Sequence, residues 1–257
     1  MITCVLQGGL GNQMFQIAAS SALAWRNKDV AVFDSGNHYL PLQGRKALNY
    51  TDNIFRSVEF SNSVYPSHIY RESHHHYEPI PYRKDTTLFG YFQSEKYFAD
   101  YHERIKELFS PDEITKQYII EKYGEALSEE IASIHVRRGD YLKFKDVHPT
   151  CTKEYYIEAM SKLPANTNYM IFSDDPDWCL ENFNMKQFRV IEGEADYIDM
   201  YIMSMCKNNI VANSSFSWWA AWLNSNKNKK VVAPKNWFGP SGPQDQQDVV
   251  PFHWERI

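Results

Sequence analysis

A histidine, two arginines and an aspartate stand close together after the apolar run IASI: His135, Arg137, Arg138 and Asp140. If residues 131–136 form a strand, side-chain alternation puts His135 and Arg137 on one side and turns Arg138 away. A guanidinium keeps its charge at physiological pH, and its planar fork of N–H donors fits phosphate oxygens. The pattern predicts a phosphate site in which Asp140 orients an arginine or accepts a proton. A surface turn with its own ion pairs is the alternative that spacing leaves open.

A second candidate anion site lies in VANSSFSWWAAWLN (211–224), where an apolar run meets a tryptophan-rich helical segment. Ser214 or Ser215 can cap the predicted helix. The backbone N–H groups of Ser215, Phe216 and Ser217 would then be exposed at the helix N-terminus, where partial positive charge favours phosphate. We expect this turn to lie at the same sheet edge as the arginine pair.

A glycine-rich loop, QGGLGNQ (7–13), joins a predicted strand to a predicted helix. Glycines let backbone N–H groups approach a ligand closely. The loop is similar to a dinucleotide-binding fingerprint without its third glycine, and Asp34 stands at about the distance expected for ribose binding. An NAD-dependent oxidoreductase is therefore one interpretation, and a close-packed strand-to-helix turn is another.

Asp199 interrupts the otherwise apolar helical segment YIDMYIM. A carboxylate there can accept both N1–H and N2–H of guanine, which makes Asp199 a candidate for base recognition. An exposed position on the helix is the alternative that the spacing allows equally.

Two groups of residues raise the question of a metal ion. Asp174 and Asp175 follow an apolar run, as paired aspartates do in many nucleotide-sugar enzymes, but Pro176 makes the same residues an ordinary helix start. The three histidines of SHHHYE (73–78) are consecutive, and consecutive loop residues rarely converge on one metal ion, so we expect a solvated loop. We predict no metal at the active site.

Composition limits the classes of protein that fit. The chain has 257 residues, of which 43% are hydrophobic, enough for one large or two small domains. Its net charge of −5 does not provide the basic surface of a nucleic-acid binder. The four cysteines are far apart, which favours reduced thiols. No segment approaches the roughly 20 apolar residues of a membrane span or looks like a signal peptide, so we expect a soluble, cytoplasmic protein.

The elements that must position these residues alternate as in an α/β fold. Strand candidates in the second half are residues 131–136, 169–173, 188–192, 209–213 and 230–234, with helical patterns between them. Runs that are apolar throughout are typical of parallel strands covered on both faces. In the first half the pattern predicts strands at 2–6, 29–34 and 86–92, helices at 12–28, 94–109 and 112–127, and an irregular region over 35–86. We place the domains at 1–125 and 126–257.

Taken together and in this order, the segments GGLGNQMFQ, HVRRGDYL, FSDD and NSSFSWWAAWL resemble the alpha-1,2-fucosyltransferases of bacteria. The resemblance implies a GT-B-like architecture of two Rossmann-like domains facing a central cleft. Residues 1–125 would form the acceptor side and residues 126–257 the GDP-fucose side. The implied reaction is inverting transfer of L-fucose from GDP-beta-L-fucose to the 2-hydroxyl of a galactose-containing glycan, without a metal or other cofactor.

The resemblance also implies roles for individual residues. Arg137 would be the essential arginine on the donor's β-phosphate, with Arg138 beside it. The sequence itself does not identify the catalytic base: Asp140 is one candidate, and an acidic residue of the first half or late proton loss through water are the alternatives. The remaining donor-binding residues are His135 and Asp199 at guanine or ribose, Ser215, Phe216 and Ser217 at the pyrophosphate, and Gly11 and Asn12 from the opposite domain.

Two other classes stay open at this point: the nicotinamide-dependent oxidoreductase and a non-catalytic module that binds a sugar or nucleotide sugar. The expected partners are GDP-fucose and a galactoside or oligosaccharide acceptor, with no nucleic acid. Peripheral association with a membrane stays open as well.

Overall fold

Residues 1–35 and 45–257 are described by the computed structural model, and their contacts divide the chain into two units. Unit 1 comprises Met1–Pro111 and Asp245–Pro251, and unit 2 comprises Asp112–Gln244 and Phe252–Ile257. The short segment Asp245–Pro251 therefore interrupts unit 2 in the sequence and belongs to unit 1 by its contacts.

Unit 1 contains two small parallel sheets and a long buried helix. Its strands are β1 (Ile2–Cys4), β2 (Phe33–Asp34), β3 (Phe60–Ser61), β4 (His68–Arg71) and β5 (Thr86–Phe89), and its helices are α1 (Leu10–Arg26) and α2 (His102–Leu108). One sheet has the order β1-β5-β4, and β2 pairs with β3. Among the described residues of this unit, 3-10 turns lie at Ala47–Tyr50, Glu95–Tyr97 and Ala99–Tyr101. Helix α1 is buried along most of its length, including the polar side chains of Gln13, Gln16, Ser20 and Ser21.

Unit 2 is built on a six-stranded parallel sheet with helices between the strands. Its strands are β6 (Ile131–Val136), β7 (Asn168–Ser173), β8 (Phe188–Val190), β9 (Asn208–Ile210), β10 (Val231–Ala233) and β11 (Glu255–Arg256). Its helices are α3 (Glu113–Ser128), α4 (Lys153–Ser161), α5 (Pro176–Asn182), α6 (Asp196–Met205) and α7 (Ser215–Leu223). The sheet order β11-β10-β9-β6-β7-β8 is the doubly wound Rossmann order, with the chain reversing direction across the sheet between β6 and β9.

The strands at the centre of unit 2 are buried on both faces, as their sequences predict. All six residues of β6 are buried, and Ile134 and Val136 pack in one core with Tyr156 and Ile171. Trp218 of α7 is also fully buried. A rigid, dry sheet centre fixes where the polar residues that follow β6 must lie.

The division of the chain differs from the predicted boundary at residue 125. That position falls inside α3, whose buried residues Ile119 and Tyr123 belong to unit 2 because the helix packs on β6 and α6. The segment Asp245–Pro251 is held in unit 1 by Asp248, which accepts the Tyr77 backbone N–H at 2.9 Å.

Two predictions for unit 1 are wrong in detail. The predicted helix over 94–109 is broken at Phe98, whose φ of −134° and ψ of 9° are not helical. This conformation buries the Phe98 ring completely and places it 6.2 Å from Phe15 of α1, so tertiary packing outweighs helix propensity there. The region predicted as irregular contains β3 and β4; residues 36–44 of it lie outside the described residues.

Within the described part of the chain, no helix is long and apolar enough to cross a membrane.

Candidate active site

The carboxyl ends of β6 and β9 lie side by side at the point where the Rossmann sheet of unit 2 reverses its winding. Ligands of open α/β sheets bind beyond the carboxyl ends of the strands at this point. The arginine pair follows β6, and the turn that begins α7 follows β9. The topology thus brings the two predicted anion-binding segments to one edge of unit 2.

Five charged residues form what we call the arginine cluster: Arg137, Arg138, Asp140, Asp174 and Asp175. Arg137 Nη2 donates to Asp140 Oδ1 at 2.5 Å, and its Nη1 lies 2.8 Å from Asp174 Oδ2. The Arg138 backbone N–H donates to Asp174 Oδ1 at 2.8 Å, while its Nε donates to Asp175 Oδ2 at 2.9 Å. Two cations and three carboxylates therefore hold one another in fixed positions.

The two arginine side chains diverge, as alternation predicts. The Arg137 guanidinium lies 5.3 Å from the centre of the Tyr141 ring, whereas that of Arg138 lies 4.3 Å from the centre of the Trp178 ring. A guanidinium carries five N–H groups. Arg137 directs one N–H group to Asp140 and one to Asp174, so it retains further N–H donors for a phosphate ligand.

Gly139 leaves room for the Asp174 carboxylate beside Arg137. A Cβ atom at this position would stand 2.5 Å from Asp174 Oδ2, closer than side chains tolerate. Any larger residue would displace the carboxylate that holds Arg137.

The two aspartates after β7 behave as a helix start. Asp175 is the N-cap of α5, accepting the Trp178 N–H at 3.2 Å, and Pro176 occupies the first turn. The hydrogen bond from Arg138 lowers the pKa of Asp175. The prediction of an ordinary helix start is confirmed.

His135 is 5% exposed, and its ring centre lies 5.4 Å from that of Phe216. Burial lowers the pKa of His135 to about 3, and the nearby Arg137 charge acts in the same direction against the opposing Asp174. The imidazole is therefore neutral at pH 7. Its Nδ1 is buried and has no hydrogen-bond partner in the structure, which is costly unless a ligand provides one.

The start of α7 differs from the predicted cradle. Ser214 is the N-cap, and its Oγ accepts the Phe216 N–H at 3.4 Å, so that N–H is already engaged. Ser217 turns its hydroxyl inward and donates to the carbonyls of Ala212 and Ser214 at 3.4 and 3.3 Å. The first-turn N–H groups of Ser215 and Ser217 are those that lack intrahelical acceptors by helix geometry. The predicted role of Ser217 in binding an anion therefore depends on its backbone N–H group and not on its hydroxyl.

Asp199 lies in the first turn of α6, the helix that packs on α7. Its side chain is half-buried, and Oδ1 is buried without a hydrogen-bond partner. Burial raises the pKa of Asp199 to about 7, with added repulsion from Glu194 and Asp196. The alternative of an exposed helix position is wrong. A buried acceptor without a hydrogen bond is energetically costly, and a ligand that donates to Asp199 Oδ1 would remove this cost.

The turn that leads into α6 is fixed by a contact that the sequence pattern did not reveal. Glu194 accepts from Tyr118 Oη at 2.9 Å, Tyr123 Oη at 2.6 Å and Lys122 Nζ at 2.5 Å. These donors come from α3, far away in the sequence. The contact anchors the N-terminus of α6 and with it Asp199.

His148 is a second residue that sequence reasoning missed. Its ring stacks on Tyr141 with centres 4.8 Å apart, and its buried Nδ1 has no hydrogen-bond partner in the structure. Burial lowers the pKa of His148, with the charge of Asp140 opposing and that of Arg137 assisting. Tyr141 is held in turn by donation to the Asn213 carbonyl at 3.0 Å. No spacing rule links His148 to the arginines, because the 3-10 turn Asp140–Lys143 and a loop separate them.

Gly11 and Asn12 lie in unit 1, in the first turn of α1. Gly8, with φ of +76°, leads into this turn, and a Cβ there would stand 2.4 Å from Asn12 Nδ2, so glycine is required. Asn12 Oδ1 accepts from Gln93 Nε2 at 2.7 Å. Gln93, also missed, is 8% exposed and has an unpartnered buried Oε1. The roles of Gly11 and Asn12 toward a donor stay predictions.

A Rossmann sheet whose carboxyl edge carries an arginine pair beside a helix N-terminus is an architecture expected of an enzyme that uses a nucleotide sugar. The model of glycosyl transferase family 11 matches residues 1–256, and the chain belongs to this family. Membership of this family makes the chain a glycosyltransferase, and the two other classes considered from the sequence, the oxidoreductase and the non-catalytic module, are set aside.

Two curated relatives span most of the chain. An alpha-1,2-colitosyltransferase of Escherichia coli is 31% identical over 293 residues, covering 100% of this chain and 99% of the relative. A galactoside 2-alpha-L-fucosyltransferase of Caenorhabditis elegans is 25% identical over 255 residues, covering 88% of this chain and 70% of the relative.

Solved structures share the fold. The fucosyltransferase NodZ from Bradyrhizobium matches with a TM-score of 0.58 at 14% identity, covering 86% of this chain and 91% of NodZ. A structure of NodZ alpha-1,6-fucosyltransferase soaked with GDP-fucose matches with a TM-score of 0.50 at 13% identity, covering 86% of this chain and 92% of that one. The prediction of a GT-B-like α/β fold is confirmed.

Proposed function

We propose that this chain is an inverting glycosyltransferase that moves L-fucose from GDP-beta-L-fucose to the 2-hydroxyl of a galactose-containing glycan. The observation that carries the proposal is the arrangement at the carboxyl end of β6. There the Arg137 guanidinium is held by two carboxylates next to the buried, unpartnered Nδ1 of His135. The names of the colitosyltransferase, the galactoside fucosyltransferase and NodZ support the same sugar class.

In this proposal Arg137 binds the β-phosphate of the donor. Negative charge grows on GDP as the bond between fucose and phosphate breaks, and a guanidinium already fixed by Asp140 and Asp174 needs no reorganisation to stabilise it. First-turn N–H groups of α7, at Ser215 and Ser217, add to the same stabilisation.

Two buried, unpartnered polar atoms are assigned to the nucleoside. Asp199 Oδ1 faces the N1–H and N2–H donors of guanine, and His135 Nδ1 binds guanine or ribose. Each atom carries a desolvation cost in the free chain that a correctly placed donor or acceptor would remove.

Conversion of a β-linked donor into an α-linked product requires a single displacement with inversion. The acceptor hydroxyl then loses a proton as it attacks. Asp140 is the candidate base from the sequence, but its hydrogen bond from Arg137 at 2.5 Å supports the orienting role instead. We assign Asp140 to holding Arg137 in place and unit 1 to the acceptor.

Colitose transfer is the second candidate, because the colitosyltransferase relative is aligned over the whole chain. Colitose is L-fucose without the 3-hydroxyl group, so a site for one differs from a site for the other by a single polar contact. Such a contact can discriminate strongly when it is buried.

The test is an assay of transfer from GDP-fucose and GDP-colitose, each with a panel of β-galactosides, followed by NMR analysis of the product linkage. We expect a new α-linkage at the galactose 2-hydroxyl, and no product from the matched 2-deoxy-galactoside. Product from GDP-colitose alone would establish the second candidate. Absence of product with both donors, or a linkage at another hydroxyl, would contradict the proposal.

We expect transfer to continue in excess EDTA. Asp174 and Asp175, the residues best placed for a catalytic metal by sequence, are engaged by Arg137 and Arg138, whose charges can stabilise the departing GDP. Initial rates with and without the chelator check this. Loss of turnover that magnesium or manganese restores would show that these aspartates bind a catalytic cation.

A further inference from the structure

Two histidines of the loop over residues 73–78 converge on a carboxylate from a distant part of the chain, all within unit 1. His76 Nδ1 lies 3.2 Å from Asp245 Oδ2, and His74 Nδ1 lies 3.8 Å from the same oxygen. The two imidazole rings stack with centres 4.8 Å apart and planes 23° from parallel. The sequence-based expectation of a merely solvated loop overlooked this because His74 and His76 are not adjacent and Asp245 is remote.

The atoms that meet here are those that zinc binds. Two imidazole nitrogens and a carboxylate oxygen are typical Zn²⁺ ligands, at about 2.0–2.2 Å from the metal. Tetrahedral ligands at that radius are roughly 3.3 Å apart. The ligand atoms of His74, His76 and Asp245 all lie within 4.8 Å of one another, so shifts of a fraction of an ångström to about an ångström in side chains suffice.

The surroundings orient the group as metal sites do. Glu78 Oε1 lies 3.5 Å from His76 Nε2, the nitrogen opposite the converging one. A carboxylate that receives the second ring N–H of a ligand histidine fixes its tautomer and increases its basicity. The His75 backbone N–H donates to Asp245 Oδ2 at 2.7 Å, which holds the carboxylate toward the histidines. Side-chain exposures of 51% for His74 and 28% for His76 leave a path for a cation to enter.

We propose that His74, His76 and Asp245 bind one divalent cation of the Zn²⁺ class, with water as the fourth ligand. Bound there, the cation cross-links the loop over residues 73–78 to the segment Asp245–Pro251. That segment is also held through Asp248, whose carboxylate receives Lys96 Nζ at 2.5 Å. The site lies in unit 1, whereas the arginine cluster belongs to unit 2, and the effect we expect of the bound cation is on the stability of unit 1.

The test is calorimetric titration of the untagged chain with ZnCl₂, together with melting temperatures. We expect one zinc ion per chain and a higher melting temperature on zinc addition. His76→Ala should weaken binding at least tenfold, and Asp245→Asn, which keeps an acceptor for the His75 N–H, should do the same. Glu78→Gln should weaken binding about tenfold, the lower end of the range for residues that orient a ligand histidine.

His102→Ala is the matched control. His102 is also partly exposed and lies 3.0 Å from the carboxylate of Glu103, but it is not part of the cluster. It should leave zinc affinity unchanged. The proposal is overturned if the wild-type chain does not bind one zinc ion, or if His102→Ala reduces affinity as much as His76→Ala.

Discussion

Arg137→Lys should lower kcat/KM by at least about 100-fold while the chain stays folded. Loss of one donor that stabilises growing negative charge costs about 100- to 1,000-fold in enzymes of other classes. Lysine keeps the charge but loses the planar fork, and it cannot reach Asp140, Asp174 and a phosphate with fixed geometry at the same time. The measurements are steady-state kinetics with GDP-fucose and a melting curve.

Arg138→Lys is the matched control, since it makes the same change one residue away. Arg138 binds Asp175 and covers the Trp178 ring, so its loss should lower the melting temperature and reduce activity less than Arg137→Lys does. If both variants fold normally and Arg137→Lys retains a rate near that of the wild type, Arg137 does not bind the reacting phosphate.

The parts of the fold that the sequence predicts well are those with local causes. Residues 131–136 form β6 as predicted, because a strand that is apolar throughout can bury both of its faces only inside a parallel sheet covered on both sides. Asp175 followed by Pro176 starts α5 for an equally local reason, a side-chain cap and a fixed proline φ.

Features that depend on partners far away in the sequence were not predictable. The helix is broken at Phe98, where the non-helical backbone lets the ring pack against Phe15. The sequence near Phe98 contains no signal that predicts this break. Segment Asp245–Pro251 joins unit 1 through Asp248, so a single boundary along the sequence cannot describe the units.

The same distinction applies to the candidate site. Arg137 and His135 were found because strand alternation and the sheet edge place them, and both lie where that reasoning puts them. His148 and Gln93 were missed, since their positions depend on stacking on Tyr141 and on a hydrogen bond to Asn12. Ser217 shows the remaining difficulty, because a hydroxyl in a capping segment can turn outward to a ligand or inward to a carbonyl with the same sequence.

Asp199→Asn should weaken GDP binding by about 10- to 100-fold, which corresponds to about 1.4–2.8 kcal/mol of lost binding free energy. The variant keeps the shape of the side chain but replaces one acceptor oxygen with a donor group, which then opposes guanine N1–H or N2–H. ADP is the control ligand, because adenine lacks that pair of donors and its weaker binding should change little.

Stability should respond in the opposite direction from affinity. The pKa of Asp199 is raised from 3.8 to about 7 by burial, so the unfolded chain releases this proton at a lower pH than the folded chain does. The wild-type chain therefore loses stability from this group as pH rises from about 4 to about 7. Asparagine removes that loss, and at pH 8 we expect Asp199→Asn to melt at or above the wild-type temperature, with the difference vanishing near pH 4.

The raised pKa also gives GDP affinity a characteristic pH dependence. Only the ionised carboxylate can accept both guanine donors, so below about pH 7 wild-type affinity should fall by up to about tenfold per pH unit. Phosphate groups titrate near pH 6 and contribute to any such slope, so the quantity to compare is the ratio of wild-type to Asp199→Asn affinity from pH 5.5 to 8.5, measured by calorimetry. Binding to guanine predicts a ratio that rises with pH and levels off above 7. A ratio that stays near one at every pH would mean that Asp199 does not contact the base, and guanine selectivity would then have to come from His135 or from backbone groups.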